Sequence, residues 1–374
     1  MTRTYIDVHV LQTVPPSNLN RDDTGSPKTG FFGGVRRARV SSQAWKRATR
    51  LAFNRELDPA SVGVRSRRVV ELLADEIRSQ AAGVEDGEAT KAAEAVLGKV
   101  GIKLKPARRK EDPQESGYLL FLSRRQIQNL AAAAVAAKNG GDYPADIKKV
   151  ADREHSIDIA LFGRMVADQT DLNVDAAAQV AHAISVHAVE DEADYFTAVD
   201  DHKSADDEED AGAGMIGVVE FNSSTLYRYA TVDLAALENN LGDPTAVRLA
   251  VEVFLDSFVT SMPTGKQNTF ANRTLPDAVL VQVRDDQPVN YVGAFEEAVE
   301  GRDGRVRRAV EALASHAREL QTSFGFTPLA SFVAGPAAAG LSPFGDKRPW
   351  PEIVPAVGEL AASRLGGATA AAPA

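Results

Sequence analysis

Residues 4–11 alternate, with Ile6, Val8 and Val10 on one face and Tyr5, Asp7 and His9 on the other. That period predicts a strand buried on one side and wet on the other. A strand this early needs partners from far along the chain, and the later patterning offers them. A helix is predicted at 41–57. Val69, Leu73 and Ile77 place another over 66–82, and Ala/Leu-rich stretches extend the helical block through 88–97 and 118–137. The remaining expectations are a strand at 156–163, a helix at 173–189, strands near 216–222 and 225–233, a helix at 245–261 and a strand at 278–284. The order is that of an α+β chain with a ferredoxin-like sheet interrupted by insertions. From 324 onward the chain is rich in Gly, Pro and Ala, so no regular element is expected there and 366–374 is expected to be disordered.

Charge is unevenly placed. The chain carries a net −10, yet residues 1–50 hold nine Lys or Arg against three Asp. The acidic excess lies in 190–210, where eleven Asp or Glu face Lys203 alone. Such a run reads as a self-repelling loop, here 202–214, on a long excursion between strands.

The basic excess has the form of a polyanion grip. Over 18–50 a Gly/Pro/Asn loop carrying Arg21, Lys28, Arg36, Arg37 and Arg39 runs into the predicted helix. Gly30, Gly33 and Gly34 allow close backbone approach. On the helix Gln43, Lys46 and Arg50 share a face, opposite an apolar stripe of Ala44, Ala48 and Leu51. Ser41 and Ser42 are natural N-caps, and the first-turn amides suit an anion. Charges and amides spaced along a path serve sequence-independent contact with phosphates.

Other motifs exclude more than they suggest. The chain has no cysteine, hence no disulfide framework and no thiolate zinc site, as suits a reducing cytoplasm. There is no apolar signal core at the start and no run long enough to span a membrane, so a cytosolic protein is expected. Gly212, Gly214 and Gly217 spell GxGxxG but lead into a strand, where dinucleotide binding needs a helix. His182 and His187 are five apart on a predicted helix, the wrong spacing for one metal, and read as packing or capping. Asn222 and Asn272 sit in sequons without meaning in the cytosol. No Walker loop, HExxH or GxSxG occurs, and neither a metal nor a cofactor is expected.

The strings LNRDD and FFGGVRRARVSSQAWKRATR resemble the amino-terminal signature of CasC-type backbone subunits of Cascade, the type I-E CRISPR surveillance complex. DIALFGRM (158–165), AHAISVH (181–187), YFTAVDD (195–201), EFNSSTLYRYATVDL (220–234) and GKQNTFA (265–271) follow in that family's order. The resemblance implies an RRM-like palm, helical fingers and a long thumb hairpin. Residues 1–60, 156–189 and 221–323 would form the palm, 61–155 the fingers and 190–220 the thumb, with 324–374 a carboxyl extension. It also implies head-to-tail stacking of copies along a CRISPR RNA (crRNA), beside a target DNA strand and other Cascade subunits, in antiviral defence. Arg21, Lys28, Arg39, Ser41, Gln43, Lys46, Arg50 and Lys266 would hold the guide, while Met165, Phe196 and Thr197 would wedge between bases. Ordinary core packing is the alternative reading of Met165 and Phe196.

A protein that accepts any guide must hold the backbone and leave base edges unread. On that reading no residue is catalytic. The rival is a metal-dependent endoribonuclease of the type III kind using Asp22, Asp23, Asp200 or Asp201. A further rival is a free-standing single-stranded RNA-binding protein.

Overall fold

The computed structural model describes residues 3–198, 215–301 and 303–366. Strand β1 (Tyr5–Ser17) leads through a loop to a hairpin of β2 (Thr29–Phe32) and β3 (Val35–Val40), and then to helix α1 (Ser42–Glu56). Strand β4 (Gly63–Ser66) opens a helical layer of α2 (Val69–Gln80) and α3 (Asp86–Val100). It continues through the small hairpin β5 (Leu104–Lys105) and β6 (Glu115–Ser116), β7 (Leu120–Ser123), α4 (Arg124–Lys138) and α5 (Ile147–Val150). The chain returns by α6 (Ile157–Phe162), β8 (Ala178–Val180) and β9 (Ala183–Ser185). It projects as β10 (Glu192–Ala198) and comes back along β11 (Met215–Asp233). Then follow α7 (Leu234–Leu241), α8 (Pro244–Thr260), the single turn α9 (Gln267–Phe270) and β12 (Ala278–Arg284). Helix α10 (Arg305–Phe324), β13 (Ala330–Ala334), β14 (Asp346–Lys347) and α11 (Trp350–Gly366) complete it.

The main sheet runs β14-β13-β12-β1-β11-β9-β3-β2, with β8 also on β11 and β10 paired to the outer half of β11. Strands β12, β1, β11 and the β8/β9 pair lie side by side, with α1 and α8 packed across one face. This is the α+β, ferredoxin-like arrangement expected from the element order. The helical layer has its own apolar core, built around Leu73, Ile77, Val96, Leu120 and Leu130.

Strand β1 is not half-wet. Ile6, Val8 and Val10 pack under Phe53 and α8 on one face. The other is covered by α10 and the 291–295 turn, so Asp7 and His9 are fully buried. Buried polar groups need partners, and the strand has them. Asp7 meets Arg284 at 3.1 Å and accepts from the Tyr229 hydroxyl at 2.9 Å and the Val289 amide at 3.0 Å. His9 Nδ1 is 2.9 Å from the Tyr227 hydroxyl.

Several expected elements differ. Residues 156–163 form helix α6, not a strand, because Asp158 takes the Ser156 hydroxyl, the Gly63 amide and the Ile159 amide, while Gly163 at φ 77° ends the turn. A short, largely apolar run looks alike in either state. The Ala-rich 173–189 segment is not a helix but supplies β8 and β9, since pairing to β11 outweighs alanine's helix preference. Within 118–137, β7 precedes a helix that begins only at Arg124, behind a Ser123/Gln126 capping box. The strands expected near 216–222 and 225–233 are one unbroken strand, β11. The Pro-rich tail is ordered too, for β13 extends the sheet and α11 buries Ile353, Val357 and Ala361. Pro351 lies in the first turn of α11, where its missing N–H has no intrahelical partner anyway, and Pro355 forfeits a single bond one turn later. The expectations for 202–214, Gly212, Gly214 and 367–374 lie outside the described residues.

Buried His9 and His187 and the partly buried His155 set an acid limit. His187 donates from Nδ1 to the Ala188 carbonyl at 2.7 Å and accepts at Nε2 from the Thr225 amide at 3.2 Å, so it is neutral. Burial drives both His187 and His155 down to about 4, with Arg305 and Arg164 respectively adding repulsion. His9 lies well below 6.5, first through burial and then through Arg284. The unfolded chain binds these protons first, so the stability they contribute is complete above pH 6.5 and is lost as pH falls toward 4. Asp7, pushed up to about 6 by burial, works in the opposite direction between 3.8 and 6. Urea unfolding is expected to lose up to about 3 kcal/mol for each of His155 and His187 over that window. A His155→Gln/His187→Gln variant is expected to flatten the profile, and an unchanged slope counts against the assignment.

Candidate nucleic-acid interface

The loop after β1 is built by its own Asn and Asp residues. Asn18 donates to the carbonyls of Gly25 at 3.0 Å and Glu220 at 2.9 Å. Asn20 accepts from the Ser41 amide at 2.8 Å, and its carbonyl takes the Lys28 amide at 2.8 Å. Asp22 accepts from the Thr24 hydroxyl at 2.7 Å and the amides of Thr24 and Ser26 at 2.9 and 3.0 Å, contacts that hold it below the usual carboxylate range. Asp22 is therefore a loop clasp, while Arg21 and Asp23 point outward, exposed. Asp200 and Asp201 lie outside the described residues.

Helix α1 is docked by a different stripe from the one expected. Trp45, Thr49, Ala52 and Phe53 are buried, whereas Leu51 is 38% exposed. Buried Ser41 caps the helix, its hydroxyl accepting from the Ala44 amide at 3.3 Å. Trp45 lies 3.8 Å from the buried Arg228 guanidinium, which also faces Phe258 at 4.6 Å and donates to Gln12 at 2.6 Å. Burial lowers Arg228 to about 9. This anchor turns Gln43 fully outward and leaves Lys46 and Arg50 half-exposed beside it.

Cations gather there with little to neutralise them. Arg50 sits 4.0 Å from Asp158 and 5.6 Å from the Phe121 ring. Its charged form is disfavoured by burial, helped by Asp158, and disfavoured again by Arg65 and Arg47. Lys46 is likewise held down by burial. Like charges assembled at a half-desolvated surface are costly alone and favour an anion. Arg47 and Arg65 were not on the sequence-derived set. Arg47 lies one position off the Lys46 stripe, and Arg65 reaches the site only because β4 pairs with β7 opposite Phe121.

Lys28 and Arg39 meet at His182, whose Nδ1 accepts from Arg39 at 3.1 Å. Burial, then Arg39 and Lys28, lower that ring below its ordinary value. Arg37 is different, because it is fully buried and spends its guanidinium on the carbonyls of Phe32, Ser185, Phe295 and Glu296. Lys266 stands beside the clasped loop, since a Cβ on neighbouring Gly265 would come 2.2 Å from the Leu19 carbonyl oxygen. Lys266 itself holds φ 50° and Ala271 φ 47°, a left-handed backbone rare outside glycine. Phe270 fixes this turn against Phe221 at 5.7 Å.

Met165 is 81% exposed and Phe196 38% exposed, so neither belongs to the core. Phe196 lies across Gly217 on the β10–β11 ribbon, where a Cβ would be 2.4 Å from the ring, and Thr197 is exposed opposite Ile216. Met165 follows buried Arg164, which is tied to Asp152 at 2.8 Å and the Leu172 carbonyl at 2.7 Å. Arg21, Lys28 and Lys266 thus lie on or beside the loop that follows β1, Arg39 faces His182, Ser41 is buried as the cap of α1, and Gln43, Lys46 and Arg50 stand farther along that helix. Met165 and the pair Phe196 and Thr197 stand on separate elements.

The model of the CT1975-like protein family matches residues 6–348. The chain belongs to that family. This CT1975-like protein also resembles a chain of a solved structure titled "CRISPR RNA-guided surveillance complex, pre-nicking". The two share 37% identity over 96% of this chain and 100% of that one, with a TM-score of 0.84. A chain of a second structure, "CRISPR RNA-guided surveillance complex", shares 31% identity over 95% of this chain and 99% of its own, with a TM-score of 0.75. No curated protein sequence matches. Among the described residues of the CT1975-like chain, no helix is long and apolar enough to cross a membrane.

Proposed function

We propose that the chain is a non-catalytic backbone subunit of a CRISPR RNA-guided surveillance complex of the type I-E, Cascade kind, working in the cytoplasm. Copies stack head to tail along crRNA beside the other subunits, hold its phosphates, and leave its bases free to pair with a target DNA strand. The observation that carries this reading is the cluster of Lys46, Arg47, Arg50 and Arg65 around α1, with Asp158 alone among the described carboxylates paired to it. A site that must accept every guide sequence needs charge along a backbone path and no base-edge readers. Exposed Met165 and Phe196 supply apolar surfaces tolerant of any base. The Asp22 carboxylate is committed to its loop, which leaves it ill placed as a metal ligand.

Lys46→Ala/Arg50→Ala is expected to weaken binding of every single-stranded RNA and to lower the salt slope by roughly 0.7 per lost contact. Equal slopes for parent and variant sink the grip. Incubating the assembled complex with paired RNA target and Mg²⁺ is expected to leave the target intact, and cutting abolished by Asp23→Asn would favour the nuclease reading.

A further inference from the structure

The pairing of β1 with β11 is interrupted at one point. Pro15 and Pro16 have no N–H to give the ladder, and the register slips between Val14, opposite Ser224, and Ser17, opposite Asn222. Beside the slip lies a crevice of about 20 Å³, lined by Ser17, Asn20, Asn222 and Ser224 and by the cations Lys28 and Arg39. That is room for a single water or hydroxyl, and too little for a phosphate or a base.

The crevice is short of partners. Ser17 and Ser224 are only 4% and 6% exposed, and among the described residues neither hydroxyl has a hydrogen-bond partner. Asn20 spends its side-chain oxygen on the Ser41 amide, which leaves its NH2 group to donate. Asn222 gives its NH2 group to Asp191 at 2.8 Å, which leaves its oxygen to accept. A hydroxyl, which both donates and accepts, completes such a set, whereas a methylene would leave its members unpaired. The two cations are held in place beside it. Arg39 donates from Nε to the Thr29 carbonyl at 3.3 Å as well as to His182, and Asn20 pins the Lys28 amide. In a ribonucleotide the 2′-hydroxyl stands on the carbon next to the one that bears the 3′-phosphate. A phosphate held by these cations therefore brings that hydroxyl to the crevice.

We propose that this crevice takes the ribose 2′-hydroxyl of a strand whose phosphate lies on Lys28 and Arg39, and so selects RNA over DNA. Phosphate contacts alone accept either strand, and the 2′-hydroxyl is what lets a protein tell them apart. A guide grip needs that distinction, since the target DNA strand lies alongside. The inference rests on the guide-holding reading above and gives it a means of refusing the wrong strand.

The test measures binding of the full-length protein to one single-stranded sequence made as RNA, as DNA and as 2′-O-methyl RNA, by fluorescence anisotropy. The parent is expected to bind RNA about tenfold more tightly than either of the others, as for a buried polar set left unpaired. The 2′-O-methyl strand keeps the sugar pucker of RNA but is too bulky for the crevice, so RNA-like binding of it would trace the preference to strand shape and overturn the site. Ser224→Val, which fills the crevice, is expected to bring RNA down to the level of DNA and to leave DNA binding unchanged. Ser17→Ala/Ser224→Ala, which removes the hydroxyls without adding bulk, is expected to do the same and guards against misfolding of the valine variant. Equal affinity of the parent for RNA and DNA, or a parent-like ratio in both variants, overturns the crevice. So does an equal loss of RNA and DNA in both, which would give the two serines to the fold or to the phosphate grip. Failure of the parent to bind either strand sinks the guide-holding reading instead. Thermal shifts with adenosine 3′-monophosphate and its 2′-deoxy form then judge the crevice alone: a larger shift for the ribonucleotide supports it, and equal shifts overturn it.

Discussion

Replacing Arg284 by Met is expected to lower folding stability by about 3–5 kcal/mol, because one partner of a buried ion pair would be left uncompensated. Arg284 and Asp7 are both fully buried at 3.1 Å. Arg284 further donates to Gln282 at 2.9 Å and Tyr291 at 2.5 Å, tying the central strand to β12 and the 291–295 turn. Burial already raises Asp7 to about 6 with Arg284 helping to hold it down, so losing the cation pushes it higher. The sign follows: a neutral Asp7 tolerates the loss, so the variant's deficit is expected to be larger at pH 7 than at pH 4.5. Urea unfolding at the two pH values checks this. Adding Asp7→Asn is expected to cost less than the sum of the single losses, and strict additivity would show that the pair is not coupled.

Replacing Trp45 by Ala is expected to cost about 3–5 kcal/mol, as for deletion of a large buried aromatic, and to weaken RNA binding although Trp45 touches no surface. Trp45 is 1% exposed, and its ring covers the Arg228 cation. Losing it frees α1 to shift while Lys46, Arg47 and Arg50 keep their charge. The salt slope is therefore expected to stay near the parent value while affinity drops, and Trp45→Phe is expected to recover most of it. A slope that falls as it does in Lys46→Ala/Arg50→Ala would mean that contacts, not their placement, were lost.

The sequence disclosed most where a side chain's local chemistry decides its fate. Ser41 as a cap, the α8 and β12 ranges, and the outward turn of Gln43 followed from capping, period and turn rules. It misled where distant pairing decides. Ala178 to Ser185 reads as helix until β11 is alongside, and Asp7 and His9 read as wet until α10 covers them. The basic segment shows the same division. Arg37 and Arg39 are two residues apart and look alike in sequence, yet one is consumed by four carbonyls and the other reaches His182 at the surface. Arg65 was invisible to local reasoning because a strand pairing delivers it.

Strand β11 passes without a break from the middle of the sheet into the protruding ribbon. At about 3.3 Å per residue its 19 residues make a rod of roughly 60 Å, held along its inner half by β1. At the root of this lever the pairing with β1 slips by a bulge between Val14 and Ser17, while β11 itself runs on. Whatever pushes on the far tip is felt as torque at the centre of the protein, so the tilt of one such arm is set by the rigidity of the whole body that carries it.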